Sequence, residues 1–119
     1  MSSRSSKLLI EDIWDSMEKI ARYVIGMDLN SFQQDDRTID AVVRNLEIMG
    51  EAANRLADVF KLQHAEIPWR KLVGLRNRVV HEYFGVDVDI VWSILQNDLP
   101  ALRPAFEKIR GELNNVSGE

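Results

Sequence analysis

Arg76, Asn77, His81 and Tyr83 crowd into one short stretch of the chain, and their side chains suit phosphodiester chemistry. An arginine offers a permanent charge and a forked pair of donors matched to a phosphate. It can neutralise the charge that builds on a phosphorus centre during transfer. A histidine can take a proton from an attacking hydroxyl, or return one to a leaving oxygen, near neutral pH. RNA brings its own nucleophile, the ribose 2′-hydroxyl. Arginine and histidine together therefore suffice for cleavage without a metal, leaving a cyclic phosphate. The sequence has no cysteine and two histidines, His64 and His81, which argues against a thiolate or histidine-rich metal site within one chain.

The apolar spacing predicts one helix through these residues, opened by Pro68, carried by Leu72, Leu75, Val79 and Val80, and ended near Gly85. Each residue of a straight helix turns about 100°. Arg76 and Tyr83 would then share one face, and Asn77 and His81 another. Arg76 and His81 would point about 140° apart. Their convergence needs the reach of the arginine, a distorted last turn, or a second copy of the chain. A twofold dimer is the preferred solution, because it brings two arginines and two histidines into one cleft. A place near a helix C-terminus would also favour protonation of the His81 ring.

Each of these residues has a plainer reading. His81 can be a half-buried hydrogen-bonder, and Arg76 can bridge to Glu47 or Glu51. Tyr83 can be a core aromatic with its hydroxyl at the surface, and Asn77 an ordinary surface amide. Arg70 and Lys71 fit a solvated face, and His64 a structural role. Trp14, Trp69 and Trp92 fit core or interface positions better than a base-stacking platform. Glu47 and Glu51, four residues apart, look like paired ligands, but no histidine cluster accompanies them.

The rest of the chain must position this segment. Ile10, Ile13, Trp14, Met17, Ile20, Ala21 and Val24 form one helical stripe, with Gly26 as its stop. Ser31 and Gln34 fit a capping box that opens a short helix. Asp35 or Asp36 then caps a long helix with Ile39, Val42, Val43, Leu46, Met49, Ala53, Leu56 and Phe60 inward. Gly50 lies in that stripe, where it lowers helix propensity but permits close approach. Arg44, Glu47 and Glu51 fall on its exposed or cleft side. Asp87 opens a further helix with Val91, Ile94 and Leu95 inward, and Pro100 kinks or breaks it. Leu102, Phe106, Ile109 and Leu113 continue the stripe. No segment alternates with period two. The expected fold is all-α, a bundle of four or five helices. It forms a single domain over 1–119, with 1–6 and 114–119 as flexible tails.

Composition sets the outer limits. With 119 residues, 45% apolar and 29% charged, the chain is an ordinary globular domain with a single core. No apolar run approaches the length of a membrane span, and no apolar signal core follows the N-terminus, so the cytoplasm is the expected location. The net charge of −4 argues against bulk attraction to nucleic acid. Its distribution matters, however. Residues 67–81 hold Arg70, Lys71, Arg76 and Arg78 and no acid, so a +4 segment sits on a −8 body. Such a patch can hold a phosphate chain without coating DNA. Arg70, Lys71 and Arg78 are therefore candidate RNA-phosphate contacts.

Arg76-Asn77 followed by His81 and Tyr83 resembles the arginine–polar–histidine signature of HEPN-domain ribonucleases, and the tyrosine resembles the HepT-like branch. Residues 44–53, with Gly50-Glu51-Ala52, are similar to that branch's second helix. Ile67-Pro68-Trp69, Asp89 to Trp92 and Leu99-Pro100 also match, so the likeness covers about 8–113. The resemblance implies an all-helical homodimer that acts as a metal-independent endoribonuclease, with tRNA among its substrate class. It implies the toxin half of a toxin–antitoxin pair whose antitoxin is an MNT-type nucleotidyltransferase. Arg76 and His81 would be catalytic, with Asn77 in support. Tyr83 would accept AMP that the antitoxin draws from ATP, and the chain itself would need no cofactor. AMP on Tyr83 would set bulk and negative charge beside the cleft and compete with RNA phosphate. A different class of function also fits the superfamily: a noncatalytic helical subunit that binds nucleotide or partner in a nucleotidyltransferase complex.

Overall fold

The computed structural model describes residues 4–81 and 85–117, with the backbone alone for 81, 116 and 117. Three long helical rods build the body. Helix α1 spans Ser6–Tyr23, α3 spans Asp36–Arg55, and α8 spans Leu99–Ser117. Shorter helices join them: α2 (Leu29–Gln33), α4 (Asp58–Gln63), α5 (Trp69–Val73), α6 (Leu75–Val79) and α7 (Val88–Ser93). The fold is all-α, apart from a two-residue antiparallel pair, β1 (Val80–His81) and β2 (Gly85–Val86).

Local chemistry explains most of these boundaries. Ser5 Oγ accepts from the Leu8 amide and caps α1, while Arg4 forks onto Asp12. At the far end α8 is helical through Ser117. Gly26, at φ +77°, turns the chain after α1. The capping box sits three residues earlier than the sequence suggests. Asp28 is the cap of α2 and Ser31 its reciprocal partner. Asp35, rather than Asp36, caps α3 through the Thr38 amide.

The apolar stripe expected of α3 is buried, as are Ile10, Ile13, Met17 and Ile20 of α1, whereas Trp14 and Val24 are half-buried and Ala21 is exposed; α1 packs along α3. The stripe of α3 does not lie on one helix, however. The backbone becomes extended at Leu56 and Ala57, and Phe60 reaches the core from α4. Helix α8 closes the core with fully buried Phe106 and Ile109. It is fastened to α1 by ion pairs of Arg110 with Glu11 and Arg103 with Glu18. Both arginines also lie over the Trp14 ring, at 4.6 and 4.9 Å.

Pro100 does not break the last rod. A π-turn over Ile94–Asp98 joins α7 to α8, with the Leu99 amide bonded to the Ile94 carbonyl five residues back. Proline has no amide, and its ring crowds the carbonyl four residues before it. The wider π-turn relieves that crowding just ahead of Pro100, so the chain stays helical.

Candidate active site

The motif segment is the main departure from the expected geometry. It is not one helix to Gly85. Pro68 caps α5, Gly74 interrupts the rod, and α6 ends at Val79. Val80 then turns to extended backbone and pairs with Val86, and His81 pairs with Gly85. The Asp87 amide closes the base of this ribbon on the Val79 carbonyl, at 2.7 Å. Consecutive β-branched residues at Val79 and Val80 favour the change, and Gly85 adopts φ +75° within it. Helical spacing therefore stops before His81. The helical face expected to be shared by Asn77 and His81 does not form, because Val80 and His81 are extended, and the face expected for Arg76 and Tyr83 falls outside the described residues. Nor does His81 sit in a terminal helical turn. Tyr83 and the side chain of His81 lie outside the described residues.

Four buried anchors hold this segment to the body: Trp69 and Leu72 on α5, and Leu75 and Val79 on α6. Gly50 of α3 lets the backbones meet. A Cβ there would stand 3.0 Å from the Leu72 carbonyl oxygen and 3.4 Å from that of Val73. The expected role of Gly50 as a close-approach residue is what the fold uses.

That approach creates a polar cleft of about 190 Å³. Glu47, Gly50, Glu51 and Asn54 line it from α3, on one face because they lie three, four and seven residues apart. Val73, Arg76 and Asn77 line the other side. Arg76 is 62% exposed, and its Nε lies 3.9 Å from Glu47 Oε2. The ion pair named as its plainer role is thus present, yet such an exposed pair contributes little to stability and can open.

The other cations do not gather around Arg76. Arg78 Nη1 donates to Asp98 Oδ2 at 2.7 Å, which links α6 to the π-turn. Lys71 lines a different cavity of about 360 Å³, with Leu72, Leu75, Ile94, Asn97 and Asp98. That cavity is larger, but it shares no lining residue with the cleft that holds Arg76 and Asn77. Arg70 is exposed on α5. A cation given no phosphate role in the sequence, Arg44, is also exposed, one helical turn before Glu47 on α3.

His64 stacks on Phe60 at 4.6 Å and approaches Glu66, in keeping with a structural role. Trp69 is buried, and its indole donates to the carbonyls of Lys61 and His64. Trp92 packs against Phe32 at 5.1 Å. These rings serve the core, as their spacing implied. Among the described residues, no three His, Cys, Asp or Glu side chains are grouped to hold a metal ion. No helix among them is long and apolar enough to cross a membrane.

Comparison with known proteins decides the family. The model of a family described as "Ribonuclease HepT-like" matches residues 13–109. The chain belongs to the HepT-like ribonuclease family. Within it, the chain is 41% identical to "Probable ribonuclease HepT" of Thermococcus cleftensis, across 90% of this chain and 97% of that one. It is 35% identical to "Putative RNase MJ1380" of Methanocaldococcus jannaschii, across 90% and 98% of the two chains. Against "Putative RNase MJ0127" of the same organism, identity is 30% across the whole of this chain and 96% of the other. No solved structure gives a significant match. The HepT-like match spans the three rods and the motif segment alike, so the family resemblance belongs to the whole fold.

Proposed function

We propose that this HepT-like chain is a metal-independent endoribonuclease, acting as the toxin of a toxin–antitoxin pair in the cytoplasm. In this reading two copies form a homodimer and bring Arg76 and His81 of each into one composite cleft. His81 takes the proton of the ribose 2′-hydroxyl. The freed oxygen attacks phosphorus, the P–O5′ bond breaks, and the 5′-oxygen leaves with a proton from the opposing histidine. The products are a 2′,3′-cyclic phosphate and a 5′-hydroxyl. Arg76 neutralises charge on the phosphorane, and Asn77 supports the site. RNA, with tRNA as a candidate, is the substrate.

The observation that carries this reading is Arg76 in a chain of this family. Its guanidinium stands exposed at a cleft, and no hydrogen bond among the described residues engages its terminal nitrogens. Those nitrogens are the pair that would fork onto a phosphate. Arg70 and Lys71, exposed on α5, are further candidates for the RNA backbone. Neutralisation is assigned to an MNT-type nucleotidyltransferase antitoxin. The Tyr83 phenolate oxygen attacks the α-phosphorus of ATP, pyrophosphate leaves, and AMP remains on the tyrosine. The chain needs no cofactor of its own.

Incubation of purified protein with tRNA in excess chelator tests the central claim. Cleavage to cyclic-phosphate ends, lost in Arg76→Ala and His81→Ala, is expected. Nucleotide binding with no cleavage of any RNA would instead favour the noncatalytic subunit. Intact mass after co-expression with an MNT-type enzyme tests the regulation. A gain in whole AMP units, absent from Tyr83→Phe, is expected, and an unchanged mass with an active partner counts against it.

A further inference from the structure

We infer that Glu47 is a positioning residue for Arg76, holding the guanidinium by its Nε edge so that its forked nitrogens stay turned to the cleft. The inference rests on the ribonuclease reading for its consequence, but not for its geometry. Glu47 lies in the middle of α3, a 20-residue helix whose neighbouring residues Leu46 and Met49 are fully buried. The carboxylate is thus mounted on a long helix seated in the core. Arg76 lies on a five-residue helix and is 62% exposed, whereas Glu47 is 29% exposed. A long side chain on so short an element has many rotamers open to it. Nε faces Glu47 Oε2 at 3.9 Å, within ion-pair reach and beyond hydrogen-bond distance, so the carboxylate biases the guanidinium by charge alone. An arginine held at Nε keeps both terminal nitrogens for a bidentate phosphate contact.

The floor of the cleft supports the same assignment. Gly50 brings the α3 and α5 backbones into contact, which sets how far Arg76 stands from Glu47. Glu51 and Asn54 continue the α3 face beyond it. Glu51 is exposed, so its charge is better screened than that of Glu47. Glu47 is the carboxylate within ion-pair distance of Arg76 among the described residues.

The first test reads the free protein and needs no activity. The ¹⁵Nε–¹Hε signal of Arg76, assigned by its loss in Arg76→Lys, is expected to show restricted motion in the parent. Glu47→Gln should release it to the mobility of exposed Arg44, and Glu47→Asp should keep part of the restriction. An Arg76 signal already as mobile as that of Arg44 in the parent would overturn the inference, whatever the protein does to RNA. The second test is the split between kcat and KM on a cleaved RNA. Glu47→Gln is expected to lower kcat about tenfold or more while KM changes little, and Glu47→Asp to recover part of the loss. Unchanged kcat in Glu47→Gln would also overturn it. If the parent cleaves no RNA, the ribonuclease reading fails, and the motional test still decides the role of Glu47.

Discussion

The body and the motif segment of this molecule are built on opposite terms. In the body, α1, α3 and α8 each run for 18 to 20 residues and present continuous apolar stripes to one core. In the motif segment, two five-residue helices and a two-residue strand pair follow in quick succession. Helices that short are not stable by themselves, because nucleation is unfavourable and each adds few hydrogen bonds. The segment stands because Trp69, Leu72, Leu75 and Val79 are set into the core and Gly50 admits its backbone. Its polar side chains Arg76, Asn77 and Arg78 are exposed. The body therefore supplies stability, and the motif segment borrows it while keeping Arg76 and Asn77 at the surface of the cleft.

The sharpest break between the two should come from Arg76→Ala. Activity on RNA is expected to fall at least ~10²-fold, by analogy with loss of one transition-state donor. Thermal unfolding should hardly move, since an exposed pair such as Arg76–Glu47 is worth little. A large drop in melting temperature would show that the segment carries stability after all. The converse substitution is Phe106→Ala. Phe106 is fully buried and meets the Trp69 ring edge-on at 6.0 Å. Its removal should cost about 3–5 kcal/mol in denaturant unfolding. A cost below about 1 kcal/mol would mean that the core refills the space.

Gly50→Ala tests the joint between the regions. The added methyl would meet the backbone carbonyls of Leu72 and Val73, which cannot swing aside as a side chain can. About 1–3 kcal/mol of destabilisation is expected from overpacking. Activity should fall as well, because α5 and α6 must move with respect to α3. Loss of stability with full activity would show that the motif segment tolerates displacement, and would weaken the case for Glu47 as its reference point.

The same division explains what could be read from the sequence. In the body, period and caps largely agree: the α1 stripe from Ile10 to Ile20 (Trp14 half-buried), the α3 stripe from Ile39 to Ala53, the stop at Gly26 and the cap at Asp87 are where their residue types place them. The helix-like stripe through Val79 and Val80 conceals the turn into β1, since buried residues there satisfy either period for a few positions. Gly74 is the visible signal for a break, and adjacent valines followed by Gly85 are the signal for a ribbon. The π-turn has its sign in Pro100, whose missing amide and ring crowding can be met by a wider turn as well as by a break. For the site, Arg76 and Asn77 are legible as residue types at a spacing, and Glu47 or Glu51 is legible as a partner of Arg76. Their common cleft was not legible, because it depends on the approach at Gly50 and on where α6 ends.

The smallest expected effect lies at the edge of the body, in Asp35→Asn. The Asp35 carboxyl accepts from the Thr38 amide at 3.0 Å and from the Thr38 hydroxyl at 2.8 Å, and caps α3. The Thr38 amide foremost, then its hydroxyl, hold the carboxyl below its ordinary value of 3.8. A group depressed in the folded state stabilises above its unfolded pKa, and loses that contribution as pH falls through the folded one. Asparagine keeps an acceptor oxygen for the cap but does not titrate. The parent should therefore melt slightly above Asp35→Asn at pH 7, and the two should converge below about pH 4. Thermal unfolding followed by circular dichroism at both pH values measures this difference. A gap that stays constant with pH would show that the charge on Asp35 contributes nothing beyond its hydrogen bonds. RNA cleavage at pH 7 should be equal in the two proteins, because this cap belongs to the body and has no contact with the Arg76 cleft.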